Sequence, residues 1–247
     1  MKLSEMTWSE AERLSRDTVV LFPVAAIEQH SRHLPFATDA ILCEAVATRV
    51  ESANPSQVLL LPLQWLGASS HHLGMAGTLS ADLDTYPRLL CDPLRCLLRH
   101  GFRRVFILNG HGGNVDGFHL ALRQLALEFP EALLSGASYW DTAAPEIANI
   151  LSGTRKNVGH ACEFETSLMM YLRPDLVRMA EISDDDLNYA GENLSGVFIP
   201  LDMKRQTRHG GSGQATLASA EKGKALLDAV VSKTSERIRT LAAMQWP

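Results

Sequence analysis

The sequence predicts an α/β fold, a single domain with a mainly parallel sheet and helices on both faces. Two observations carry this. Short runs rich in Val, Leu and Ile alternate with helix-patterned segments along the chain, as strand–helix–strand crossovers require. Those runs are apolar almost without interruption, the pattern of strands buried on both faces. No linker-like or repetitive stretch breaks the 247 residues, so residues 1–247 read as one domain, long enough to bury a large core.

Ser4 to Arg16 fits a short amphipathic helix, and 18–26 the first buried strand. Asp39 to Glu51 follows as a longer helix stopping before Asn54-Pro55. Residues 58–63 form the second strand. Leu83 to His100 is helical, kinked or restarted at Pro87 or Pro93 and closed by Gly101. The third strand is 104–108, the next helix Asn114 to Phe129, and 132–140 a fourth strand candidate. Asp141 to Gly153 is helical or irregular, and an apolar helix covers Leu168 to Leu172. Ser183 to Leu187 reads as a solvated turn, Thr207 to Gln214 as a glycine-rich loop, and Leu217 to Met244 as a long closing helix.

Composition narrows the function classes. A net charge of −5 without a long basic run gives no electrostatic reason to bind nucleic acid. No apolar run approaches the roughly 18 residues of a membrane span, and the N-terminus lacks the apolar centre of a signal peptide. Cys43, Cys91, Cys96 and Cys162 show no paired spacing and read as buried thiols of a cytoplasmic protein.

The chemistry collects where predicted strands end. Glu28 and His30 follow the first strand, and in an extended segment they point to the same side. Asp39, after a loop with Pro35, opens the next helix and can fold back onto them. Oxygen and nitrogen donors of this kind suit zinc, manganese or iron. A small-residue loop at 67–78 holds Ser70, His71 and His72, a composition typical of site loops. The third strand runs into Asn109-Gly110-His111-Gly112-Gly113-Asn114, where glycines let backbone approach a ligand. That loop shares glycines with phosphate-binding loops but lacks their Lys-Ser/Thr ending. His160, Glu163 and Glu165 precede or open a helix, where a carboxylate can equally serve the macrodipole.

Three of these motifs together resemble the creatininase (creatinine amidohydrolase) family: Glu28-Gln29-His30-x-x-His33-Leu34-Pro35 with Asp39, Asn109 to Asn114, and His160-Ala161-x-x-x-Glu165-Thr166-Ser167. Gly77-Thr78 and 218–223 are further landmarks. The resemblance implies a dinuclear metal hydrolase of cyclic or linear amides, with a small-molecule amide as substrate. It implies two divalent metal ions per chain, zinc with manganese or iron, about 3.5–4 Å apart and sharing one water. Glu28, Asp39 and His111 would hold one ion, and His30, the bridging Asp39 and a further glutamate the other. His160 would be the general acid/base, and Ser70, His72, Gly112 and Asn157 would face the substrate. A homo-oligomer, such as a hexamer, is implied too.

The sequence also departs from that pattern. Creatininase places a metal-binding glutamate two residues after the third-strand histidine, where this chain has Gly113; Glu165 is chosen over Glu163 to replace it. Arg155-Lys156-Asn157 stands in place of a substrate-closing Trp-Asp pair, and Ser31-Arg32 in place of Gly-Pro. With Arg32, those cations predict preference for an anionic amide over creatinine. The competing readings are an inactive relative serving as a binding or assembly subunit, and a metal-free nucleotide site.

Overall fold

The computed structural model describes residues 1–194 and 196–246. A four-stranded, all-parallel sheet has the order β2-β1-β3-β4, with β1 at Val19–Val24, β2 at Val58–Leu60, β3 at Arg104–Asn109 and β4 at Leu133–Ser138. β1 pairs with β3 from Val19↔Arg104 to Val24↔Asn109, and with β2 from Val19↔Val58 to Leu21↔Leu60. The helices are α1 (Trp8–Glu12), α2 (Thr38–Ala53), α3 (Tyr86–Arg99), α4 (Val115–Glu128), α5 (Ala144–Ile150), α6 (Glu163–Leu172), α7 (Met203–Gln206) and α8 (Ala220–Ala243).

Strand alternation divides the apolar side chains between two cores. Val19, Leu21, Phe106 and Leu108 pack with α2, α5, α6 and α8; Val20, Phe22, Val24, Val105 and Ile107 pack with α3 and α4. Both faces of the sheet are therefore covered, as the apolar runs predict. Cys43, Cys91 and Cys162 are buried free thiols, while Cys96 is exposed on α3, against expectation. No described helix is long and apolar enough to cross a membrane.

Element ends differ from the sequence reading for local reasons. β2 stops three residues early because Pro62 cannot donate to the ladder. β1 tolerates Pro23 because β2 has ended there and only the amide of Gln64 reaches the Pro23 carbonyl, at 3.0 Å. The first helix is shorter than predicted, since Thr7 caps it late in a capping box with Glu10. α6 begins at Glu163, five residues before the predicted apolar helix, which brings both glutamates into its first turn.

Parallel strands put all their carboxyl ends on one edge, and chain connections diverge between β1 and β3. That divergence opens the crevice in which open α/β sheets bind ligands. The tail landmark fixes α6 beside it. Gly223 of α8 lies so close to Ser167 that any Cβ would collide with that residue's carbonyl. The Ser219 amide donates to Ser167 Oγ at 3.2 Å, and Lys222 Nζ donates to Glu163 Oε1 at 2.5 Å. Replacing Gly223 with Ala should cost about 1–3 kcal/mol in urea unfolding by overpacking this crossing, whereas Lys224→Ala on the exposed face should change stability by less than about 0.5 kcal/mol.

Candidate metal centre

The loops at the strand tips are held by two asparagines of the glycine-rich motif. Asn109 Nδ2 donates to the His111 carbonyl at 2.7 Å and Asn109 Oδ1 accepts from the His111 amide at 3.1 Å. Asn114 accepts from the Ala68 amide at 2.9 Å and donates to the Ala25 carbonyl at 3.1 Å, joining three loops. Beyond β1 the backbone leaves the sheet, so strand alternation does not orient Glu28 and His30. Instead Glu28 donates its amide to the Phe36 carbonyl at 3.1 Å, and His30 Nδ1–H donates to the Glu28 carbonyl at 3.1 Å. The turn places Ser31 in the left-handed region (φ 57°), where glycine is at ease.

The structure gathers Glu28, His30, Asp39, His111, His160 and Glu165 into one cluster. His30 Nε2 lies 3.0 Å from Asp39 Oδ1 and 3.8 Å from Glu165 Oε1. His111 stands between two carboxylates, with Nε2 3.2 Å from Glu28 Oε2 and Nδ1 3.2 Å from Asp39 Oδ2. His160 Nδ1 lies 3.6 Å from Glu28 Oε1, and its ring is stacked at a tilt 4.3 Å from that of His30. Donor atoms converge closely enough for one ion in the groups Glu28–His30–Asp39, His30–His160–Glu165, Glu28–His72–His160 and Glu28–His71–His111.

Glu28, Asp39 and Glu165 are 0%, 2% and 5% exposed. Among the described residues, only imidazoles form ion pairs with them. Both Glu28 oxygens, Asp39 Oδ2 and Glu165 Oε2 are buried without a hydrogen-bond partner. Buried anions of this kind need a compensating cation. The imidazoles show the same field. Burial alone would lower them, but Glu28 and Asp39 hold His111 up at about 10, and Asp39 and Glu165 hold His30 well above its usual range. His160 goes the other way, pulled down to about 3 by burial and by His30. This donor set, with orphaned oxygens aimed inward, fits divalent metal ions.

Of the two candidate glutamates, Glu165 faces His30, whereas Glu163 accepts from the amides of Ser152 and Gly153, each at 3.0 Å, and from Lys222. A side chain at Gly113 would collide with the Ala68 carbonyl and His111. Gly112 is exposed with open space before it, and His72 is buried with Nε2 3.3 Å from Glu28 Oε1. Two residues expected to face the substrate lie outside the cluster. Ser70 is exposed, and its neighbour Ser69 turns inward instead, Oγ 3.3 Å from His111 Nε2, because a short 3-10 turn begins there. Asn157 is exposed and lines a crevice with Glu163 and Gln214, not the cluster. Arg155 is taken up by Asp186 and Ser212, and Lys156 by the Leu151 carbonyl.

The sequence reading missed Gln29, Ser69 and Asp185. Asp185 is buried, not solvated. It accepts from the amides of Asp186, Arg208, His209 and Gly211 at 2.9–3.2 Å, and so shapes the loop 207–213. Ser212 of that loop exchanges both backbone hydrogen bonds with His160, and His209 Nδ1 meets Ser31 Oγ at 2.9 Å. No sequence pattern pairs the three aspartates with a glycine-rich loop more than twenty residues later.

A family model described as creatinine amidohydrolase matches residues 4–238. The chain belongs to the creatininase family. It is 35% identical to creatinine amidohydrolase of Pseudomonas putida, over 96% of this chain and 95% of that one. Mycofactocin precursor peptide peptidase of Mycolicibacterium smegmatis is 30% identical, over 90% and 84% of the two chains. A solved manganese form of creatininase superposes with TM-score 0.82 at 31% identity, covering 98% and 99%.

Burial tends to raise the Asp185 carboxyl, and the amides of His209, Arg208 and Gly211 outweigh it and hold it below the usual carboxylate range. Its stabilising contribution is complete above the ordinary value of about 4 and is lost as pH falls through the lower folded value. Asp185→Ala should therefore cost about 3 kcal/mol at pH 7 by urea unfolding, and the gap from the unsubstituted protein should narrow as pH falls below the ordinary carboxyl value of about 4.

Proposed function

We propose that this chain is a two-metal amidohydrolase that cleaves a C–N bond of a small cyclic or linear amide. The observation that carries the reading is the trio of buried carboxylates, Glu28, Asp39 and Glu165, matched only by imidazoles and left with four orphaned oxygens. Glu28, Asp39 and His111 are the residues to hold one ion, and His30, Asp39 and Glu165 the second, with Asp39 common to both. Zinc, manganese and iron all suit the donors. Divalent ions there would supply Lewis-acid chemistry and lower the pKa of water.

The chain's own groups do the rest. The Glu28 carbonyl holds the Nδ1 proton of His30, so Nε2, which faces Asp39 and Glu165, is the nitrogen that would give up its proton to bind an ion. His160, with 15% of its side chain exposed, stands at the rim of the carboxylate cluster, its one ion-pair contact among the described residues being with Glu28 at 3.6 Å. As a neutral imidazole it accepts the proton of the attacking water and returns it to the leaving nitrogen. Gly112 leaves room for an amide beside His111. An inactive relative is disfavoured because no member of this constellation is missing. Arg155 is engaged by Asp186 and Ser212 and Lys156 by the Leu151 carbonyl, contacts that compete with any role as anion clasps, while Arg32 stays exposed.

Metal analysis of purified variants tests the assignment. Asp39→Ala should lose metal at both positions, and Glu165→Gln should lose more of it than Glu163→Gln. His160→Ala should keep its metal and lose about 10²–10⁴-fold in turnover, assayed on whichever of creatinine, formamides or short peptides the protein hydrolyses. Retention of two ions and full turnover in Asp39→Ala would end the bridging assignment. Loss of one ion in His160→Ala would make that histidine a ligand.

A further inference from the structure

Gln29 is buried beside the cluster, against His72 and His160, and holds no ion in the proposed centre. Its side-chain amide has a determined orientation. Oε1 accepts from the Ser31 amide at 2.9 Å and Nε2 donates to the Gly210 carbonyl at 3.0 Å; the reverse placement would set donor against donor and acceptor against acceptor. The second Nε2 proton points to His72 Nδ1, 2.7 Å away. An amide nitrogen has no lone pair to accept a proton, so His72 Nδ1 is the bare nitrogen and Nε2 carries the hydrogen. That Nε2–H faces Glu28 Oε1 at 3.3 Å.

The backbone of the same residue acts on the other imidazole. His160 Nε2 lies 2.7 Å from the Gln29 carbonyl and 3.1 Å from Gln29 Nε2. A lone pair could not face a carbonyl oxygen at the shorter distance, so Nε2 is protonated and Nδ1 is bare, 3.6 Å from Glu28 Oε1. Glu28 Oε1 thus has a protonated imidazole nitrogen on one side and a bare one on the other, their rings 4.4 Å apart.

We propose that Gln29 is a positioning residue: its side chain keeps His72 a neutral imidazole with Nε2–H turned toward Glu28, and its backbone carbonyl turns His160 so that Nδ1 is the atom that exchanges protons with substrate and water. The identification of Nδ1 rests on the acid/base reading of His160 above; the tautomers do not. Three contacts pin the device in place. Thr78 Oγ1 accepts the Gln29 amide proton at 3.1 Å, the Gly-Thr landmark thereby holding the backbone. Gly210, in a left-handed conformation (φ 96°), leaves the space the Gln29 amide occupies, since a Cβ there would collide with it. The 207–213 loop built on Asp185 delivers Gly210.

The test is long-range 1H–15N correlation NMR of histidine-labelled protein, recorded metal-free and zinc-loaded. The unsubstituted protein should show His72 with a bare Nδ1 and protonated Nε2, and His160 with a protonated Nε2. In Gln29→Glu the carboxylate accepts instead of donating, so His72 should acquire an Nδ1 proton while His160, bonded to the backbone, keeps its pattern. Gly210→Ala, which displaces the amide from the outside, should disturb His72 likewise. Turnover in Gln29→Glu should fall about 10–100-fold, the range for residues that orient a site from behind, chiefly in kcat. A protonated Nδ1 on His72 in the unsubstituted protein, or an unchanged His72 in both variants, would overturn the proposal. A correct His72 signature with no metal bound and no turnover under any condition would instead overturn the function proposed above and leave the tautomers standing.

Discussion

The site is governed by a charge imbalance. Glu28, Asp39 and Glu165 are removed from water at the carboxyl edge of the sheet, and no lysine or arginine pairs with them among the described residues. A buried carboxylate without a cation costs several kcal/mol even after relaxation. His30 and His111 meet the demand by holding protons far above their usual range. A divalent ion meets it better, because it satisfies two or three oxygens at once and needs no proton.

Such a centre survives only if its scaffold is stiff, and the hydrogen bonds around it are those of a clamp. Asn114 ties the 67–79 loop to the tips of β1 and β3. Thr78 holds the backbone of Gln29. The α6–α8 crossing at Gly223, with Lys222 on Glu163, fixes the helix that carries Glu165. Among the described residues two non-glycine positions adopt left-handed backbone, Ser31 and Ala161, each directly after a histidine of the cluster. Conformations of that kind cost about 1–3 kcal/mol and persist where surrounding contacts over-determine them. Here they re-aim the chain so that His30 and His160 face inward.

Much of this was legible in the residues. Uninterrupted apolar runs announced a two-faced parallel sheet, and the motifs at Glu28, Asp39, His111 and Glu165 marked side chains that the fold does bring together. What was not legible depended on local backbone. Ser69 and not Ser70 turns inward because a 3-10 turn intervenes, and pattern cannot resolve a one-residue shift in a loop. Gln29 was passed over because strand alternation would point it away from Glu28 and His30, yet the chain is no longer a strand there. Asp185 looked solvated since its partners are backbone amides twenty residues on, which no side-chain pattern records. Arg155 looked free for the same reason, its partner Asp186 being supplied by the fold.

Crystals soaked in zinc and measured on either side of the zinc absorption edge test the central claim most directly. The account predicts two anomalous peaks in each chain, both touching Asp39, one also against Glu28 and His111 and the other against His30 and Glu165. A cluster without anomalous density, or a single peak that leaves Glu165 or Glu28 unliganded, would contradict it.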